Sequence, residues 1–391
     1  MDRASFQPQA VSDTSGSEAL RAVPKAPSPL RVVGGGLRLA EPVAAPDPQW
    51  DAGFAALRDW LGIALDPVAA PRASGLRKMA DWARSPASAI IPQFAPWEVF
   101  SPVTLQPGAS ADGPRADWMV SYMFEHGPGS AVRAGTLDFA LFSPHPSACT
   151  RDEEGALPLP RLAVIEAMLH AARAEGRTRI AILVSASQRN AFASRLLRAD
   201  RNLTREGMTL EVLAIEAALP GLADSSPRWD AVIVMPEWRS IVFTLVATAT
   251  GRKGPWPLLW FANGQALVRA SSEGLVEAGG RLALDAPVLI QTLALTLHHC
   301  GMAAAARRLH EAATRLRDSG IVTVSRGSSV PYARTLEDAD FLELVCAGMG
   351  EGHRAAPHWQ ALAASLSCGT IAAPARLSLI ASNASPLTAH S

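Results

Sequence analysis

Three runs within residues 137–235 decide the fold: Leu137-Asp-Phe-Ala-Leu-Phe142, Arg179-Ile-Ala-Ile-Leu-Val184 and Trp229-Asp-Ala-Val-Ile-Val-Met235. Each is short and nearly all apolar, the pattern of a strand buried on both faces. Between the first two, Leu162, Ile165, Leu169 and Ala172 fall at helical spacing within residues 160–175. Residues 187–197 read as a further helix and 210–215 as a further strand. Strands alternating with helices in this way build a layered α/β domain.

Outward from this block the chain is less regular. Toward the C-terminus, residues 287–299, 302–319 (starting after Gly301) and 336–349 read as helices. Toward the N-terminus, residues 30–33 are a strand candidate running into Gly34-Gly35-Gly36, where a tight turn fits. Phe54, Leu57, Trp60 and Leu61 mark a helix over 50–65, and another starts at Ser74. Residues 92–133, rich in Pro and Gly with scattered aromatics, read as an irregular excursion or an arm. Residues 1–29 and the Ala/Ser/Pro-rich segment after Gly352 read as loose tails.

Composition narrows the function. The 391 residues suffice for two domains or one large two-lobed unit, and 48% of them are hydrophobic, as in a globular protein. Lys+Arg and Asp+Glu both number 36, so charge gives no reason to expect nucleic acid or a membrane surface as partner. Only Lys25, Lys78 and Lys253 are lysines, which leaves a lysine-dependent mechanism three candidates. Cys149, Cys300, Cys346 and Cys368 form no CxxC pair, against a zinc site or a disulfide framework. With no apolar leader and no run long enough to span a bilayer, a cytoplasmic location is expected.

Several segments, taken in order, resemble the isocitrate/isopropylmalate dehydrogenase family. The clearest is Ala286-Pro-Val-Leu-Ile-Gln-Thr-Leu-Ala-Leu-Thr-Leu-His-His-Cys-Gly301, continuing through Ala303–Ala306 to Gly320 and on to the Thr335–Leu344 helix start. It is similar to the family's Asn-Pro helix, Ala-rich helix and closing helix. Trp229-Asp-Ala-Val-Ile-Val, followed by Gly251, Gly254 and Pro257, resembles the Phe-Asp-Val strand, its helix and the Gly-Leu-x-Pro turn. Ser74-Gly-Leu-Arg-Lys-Met-Ala-Asp resembles the start of a substrate-binding helix, and the 137–142 strand with the 160–182 helix–strand pair is a fourth match. The resemblance implies an open α/β sheet with helices on both faces, in two lobes. A large lobe (30–87 and 255–350) and a small lobe with the dimer interface (88–254) would flank a cleft, with tails at 1–29 and 351–391. In the family that cleft holds a small acid, Mg²⁺ or Mn²⁺, and NAD(P).

The residues at the implied functional positions do not suit that chemistry. The two metal carboxylates, four apart on the helix after the Phe-Asp-Val strand, fall at Ser240 and Thr244; the third, contributed across the dimer, falls at Glu216. Hard divalent cations need charged oxygens, and one carboxylate cannot build the site; Glu237 is the nearest substitute. The catalytic lysine position is Ser185, in Ser185-Ala-Ser187, and the chain's only tyrosines, Tyr122 and Tyr332, both lie outside the loop after the 137–142 strand, where the family's tyrosine falls. Of the substrate-clamping arginines, Arg77 matches the first, beside Ser74. The second falls near Ala87 or Ser85 and the third at Ser143, with Arg84 and Arg151 as possible stand-ins. The nucleotide loop falls at Glu273-Gly274-Leu275, where a carboxylate would repel phosphates.

These losses run in one direction, from charged groups to hydroxyls, as expected once a metal no longer holds carboxylates together. The expectation is therefore a non-catalytic homologue without bound NAD(P) or metal, acting as a binding or partner subunit in a homodimer or a hetero-oligomer with a related chain. The alternative is an enzyme acting on another small organic acid through a rewired cleft using Arg77, Glu216 and Glu237. A third reading makes the likeness architectural only. Trp238, Trp256 and Trp260 are read as core or as the wall of an aromatic pocket, and His298, His299 and His310 as structural or solvent-facing.

Overall fold

The computed structural model describes residues 30–34, 53, 56–57, 59–61, 65–69, 93–95, 116–125, 137–150, 158–199, 208–224, 226–251, 255–262, 264, 266–274, 286–299, 301–324, 333–348 and 358–363. Ten strands form one sheet: β1 (Leu30–Gly34), β2 (Leu65–Ala69), β3 (Gln93–Ala95), β4 (Trp118–Glu125), β5 (Leu137–Pro144), β8 (Arg179–Val184), β9 (Thr209–Ala214), β10 (Ala231–Val234), β11 (Trp256–Ala262) and β12 (Ala266–Glu273). Their order is β2-β1-β3-β12-β11-β4-β5-β10-β8-β9. Two parallel blocks, β5-β10-β8-β9 and β12-β3-β1-β2, are joined through antiparallel β4 and β11. The short pairs β6 (Cys149–Thr150) with β7 (Leu159–Pro160) and β13 (Ile321–Thr323) with β14 (Arg334–Leu336) stand apart.

The helices are α1 (Leu162–Ala174), α2 (Arg189–Ala199), α3 (Ile215–Leu222), α4 (Pro236–Ala249), α5 (Ala286–His299), α6 (Ala303–Asp318), α7 (Asp338–Ala347) and α8 (Gln360–Ala363). Side chains alternate across a strand, so each central strand feeds two cores. On one face Trp118, Val120, Tyr122, Phe142, Ile182, Ile233 and Phe261 pack against α1, α2, α5 and α6. On the other, Met123, Phe139, Leu141, Leu183, Val232 and Trp256 pack against α3 and α4. Gly301, with φ of 83°, and Gly348, with φ of 68°, follow α5 and end α7 in the left-handed region open to glycine. The stretch expected as a helix over 50–65 is helical at its described residues 53, 56–57 and 59–61, and yields to β2 at Leu65. Arg308 lies over the Trp60 ring at 4.2 Å.

Two expectations are corrected. Residues 92–133 are not merely an excursion: they carry β3 and also β4, whose eight residues are all buried in the middle of the sheet. Pro and Gly in the flanks obscured a continuous run, Trp118-Met-Val-Ser-Tyr-Met-Phe-Glu, that suits a strand covered on both faces. The region after Gly352 is not wholly a loose tail, because Trp359 and Leu362 belong to the main core and α8 packs beside α5 and α6. The hairpin of β11 and β12 is a further addition, with its turn tied down by Trp118 Nε1 donating to the Gly264 carbonyl at 2.6 Å. The 1–29 tail, the segment beginning at Ser74, and Arg84, Ser85, Ala87, Arg151 and Tyr332 lie outside the described residues.

Candidate functional site

The connections put the sheet's topological switch point at one edge. After β5 and β8 the chain crosses on the α1/α2 face, whereas after β9 and β10 it returns on the α3/α4 face. The carboxyl end of β10, between β5 and β8, is thus where neighbouring connections part to opposite faces, the usual position of a binding crevice in open α/β sheets. Ser143 to His145, Ser185, Glu216 and Met235 to Ser240 all follow the carboxyl ends of these strands or lie at them.

The residues at this edge are occupied or dispersed. Ser143 is buried within β5, its hydroxyl 3.3 Å from the Pro144 carbonyl, and so is closed to a substrate. Ser185 is buried and donates to Gln188 Oε1 at 2.8 Å, with Ser187 Oγ at 3.1 Å, so its turn is satisfied locally. Glu216 and Thr244 are exposed on α3 and α4, and Ser240 is half-buried. Arg77 and Ser74 lie outside the described residues.

The charge the sequence reading missed is Arg239. Spaced with Val242, Phe243 and Val246 on the inward face of α4, it is 2% exposed. An arginine on an apolar helix face must find a counter-charge, and it finds Glu273. Arg239 Nη1 donates to Glu273 Oε1 and Nη2 to Oε2 at 2.6 Å, a two-point pair. Ser121 of β4 donates to Glu273 Oε2, while its oxygen also receives Arg239 Nη2 at 2.6 Å. Glu273 is therefore not in a nucleotide-facing loop. It ends β12 opposite Trp256, buried, with Gly274 buried just beyond it. Ser121 itself was hidden within the segment read as irregular. The only advance signal was the phase of Arg239 within its helix.

The aromatic residues serve mainly as core. Trp256 packs on Phe243 with ring centres 4.5 Å apart, and Trp260 joins Met119 and Leu258 under the rim. At the rim, His145 lies 6.0 Å from the Trp260 ring. His145 Nδ1 accepts the Ser147 amide at 3.2 Å and lies 2.7 Å from Ser147 Oγ, which orients the ring. Burial lowers the His145 pKa, and Asp117 opposes this only in part. Burial raises Glu237. Burial, then the charge of Glu237, pushes the Cys149 thiol up to about 12 against the pull of Arg161, so it is no nucleophile at neutral pH.

A divalent cation does not fit this donor set. Ser240 and Thr244 offer only neutral hydroxyls, and among the described residues no three His, Cys, Asp or Glu stand together as ligands. The nicotinamide loop position fits no better, since the Glu273 carboxylate is already held by Arg239.

His298 and His299 are adjacent rings 5.7 Å apart and nearly perpendicular. Burial, then the neighbouring His298, pushes His299 down to about 3 from its ordinary 6.5. Between those values the unfolded chain takes up a proton that the folded chain refuses. Stability is therefore expected to fall as pH drops through about 6.5 toward about 3. Urea midpoints measured against pH should show a shallower fall for His299→Gln than for the unaltered chain.

No family model matches the sequence, and no curated protein does. Among solved structures the chain is similar to isocitrate dehydrogenase from Methylococcus capsulatus, with TM-score 0.54 and 14% identity over 82% of this chain and 98% of that one. It is also similar to the TT0538 protein from Thermus thermophilus, with TM-score 0.52 and 15% identity over 83% of this chain and 68% of that one. The fold is that of isocitrate dehydrogenase. At these identities the likeness concerns the fold alone.

Proposed function

We propose that this chain is a non-catalytic relative of NAD(P)- and metal-dependent β-hydroxyacid oxidative decarboxylases, serving as a binding or partner subunit in the cytoplasm. The observation that carries this reading is the buried Arg239–Glu273–Ser121 pairing. It joins the helix at the implied metal position to the strand end at the implied nucleotide position, and neutralises both from within. At the implied metal position itself, Ser240 and Thr244 supply no carboxylate. The partner is a second copy or a related chain. Leu219 on α3 and Ile241 on α4 support this, since both are exposed apolar residues on helices that pack together.

A rewired enzyme is the second reading, favoured by His145, oriented by Ser147, and by Glu237, which follow the carboxyl ends of β5 and β10. One experiment separates the two. Purified protein is tested for Mn²⁺ binding by electron paramagnetic resonance. It is also assayed for NAD⁺ or NADP⁺ reduction with isocitrate, isopropylmalate and tartrate. Neither binding nor reduction is expected; turnover abolished by Glu237→Gln would establish the enzyme instead.

A further inference from the structure

We draw no further inference here: the strongest candidate, the exposed apolar patch formed by Leu219 on α3 and Ile241 on α4, already belongs to the partner surface of the proposed function, and nothing in the structure shows what covers it.

Discussion

Arg177→Ala is expected to lower the unfolding free energy by about 3–5 kcal/mol, the range for breaking a buried ion pair from one side. The Arg177 side chain is fully buried. Its Nε donates to Glu175, and its Nη1 reaches the Asp138 carboxylate and donates to the carbonyls of Asp138 and Asp230 at 3.1 and 3.0 Å. It ties the turn before β8 to the starts of β5 and β10. Asp230 completes the knot, accepting the amides of Thr178 and Arg179, each at 2.9 Å. Removing the guanidinium strands two carboxylates in the interior. Burial raises the Glu175 pKa, and Arg177 is the largest influence holding it down, so its loss favours a protonated Glu175. Arg177→Lys should recover little, since one ammonium cannot direct donors at a carboxylate and two carbonyls. Urea unfolding followed by circular dichroism measures both; a loss under about 1 kcal/mol for Arg177→Ala would show that the network does not hold the strands.

Arg239→Ala should cost a similar amount, about 3–5 kcal/mol, by leaving Glu273 buried with Ser121 as its remaining hydrogen-bonding side chain among the described residues. The paired change Arg239→Met with Glu273→Leu should cost much less, because it removes both charges and keeps most of the volume. A double-mutant cycle by urea unfolding reads the coupling. Near-additive losses would mean that the two residues act separately, and would remove the main support for a self-neutralised site. Neither variant is expected to acquire Mn²⁺ binding, since Ser240 and Thr244 still offer no carboxylate.

Where a single element carried its own pattern, the sequence was legible. The strand at Arg179–Val184 lies where its apolar run indicated, and α1, α5 and α6 follow from their periodicity within a residue or two. The 137–142 and 229–235 runs are strands for the same reason, and the likeness of fold to isocitrate dehydrogenase was contained in the order of these segments. Legibility failed where a residue's meaning depends on a distant one. Ser121 and Glu273 stand 152 residues apart, and only the sheet order, with β11 between β4 and β12, brings them to one guanidinium. Trp359 looked like part of a tail because its partners, Phe124 and His310, lie on other elements.

The sequence alone supplied the residues at the positions the resemblance implies, Ser185, Ser240 and Thr244 among them. It also set the alternation of strand and helix, since apolar spacing is local. Tertiary structure alone decided what local pattern does not carry: a buried arginine and glutamate that neutralise each other, a serine closed inside a strand, and a tryptophan at 359 seated in the core. Those depend on which strands lie side by side, and that order arises from long-range pairing and burial that no local window of sequence contains.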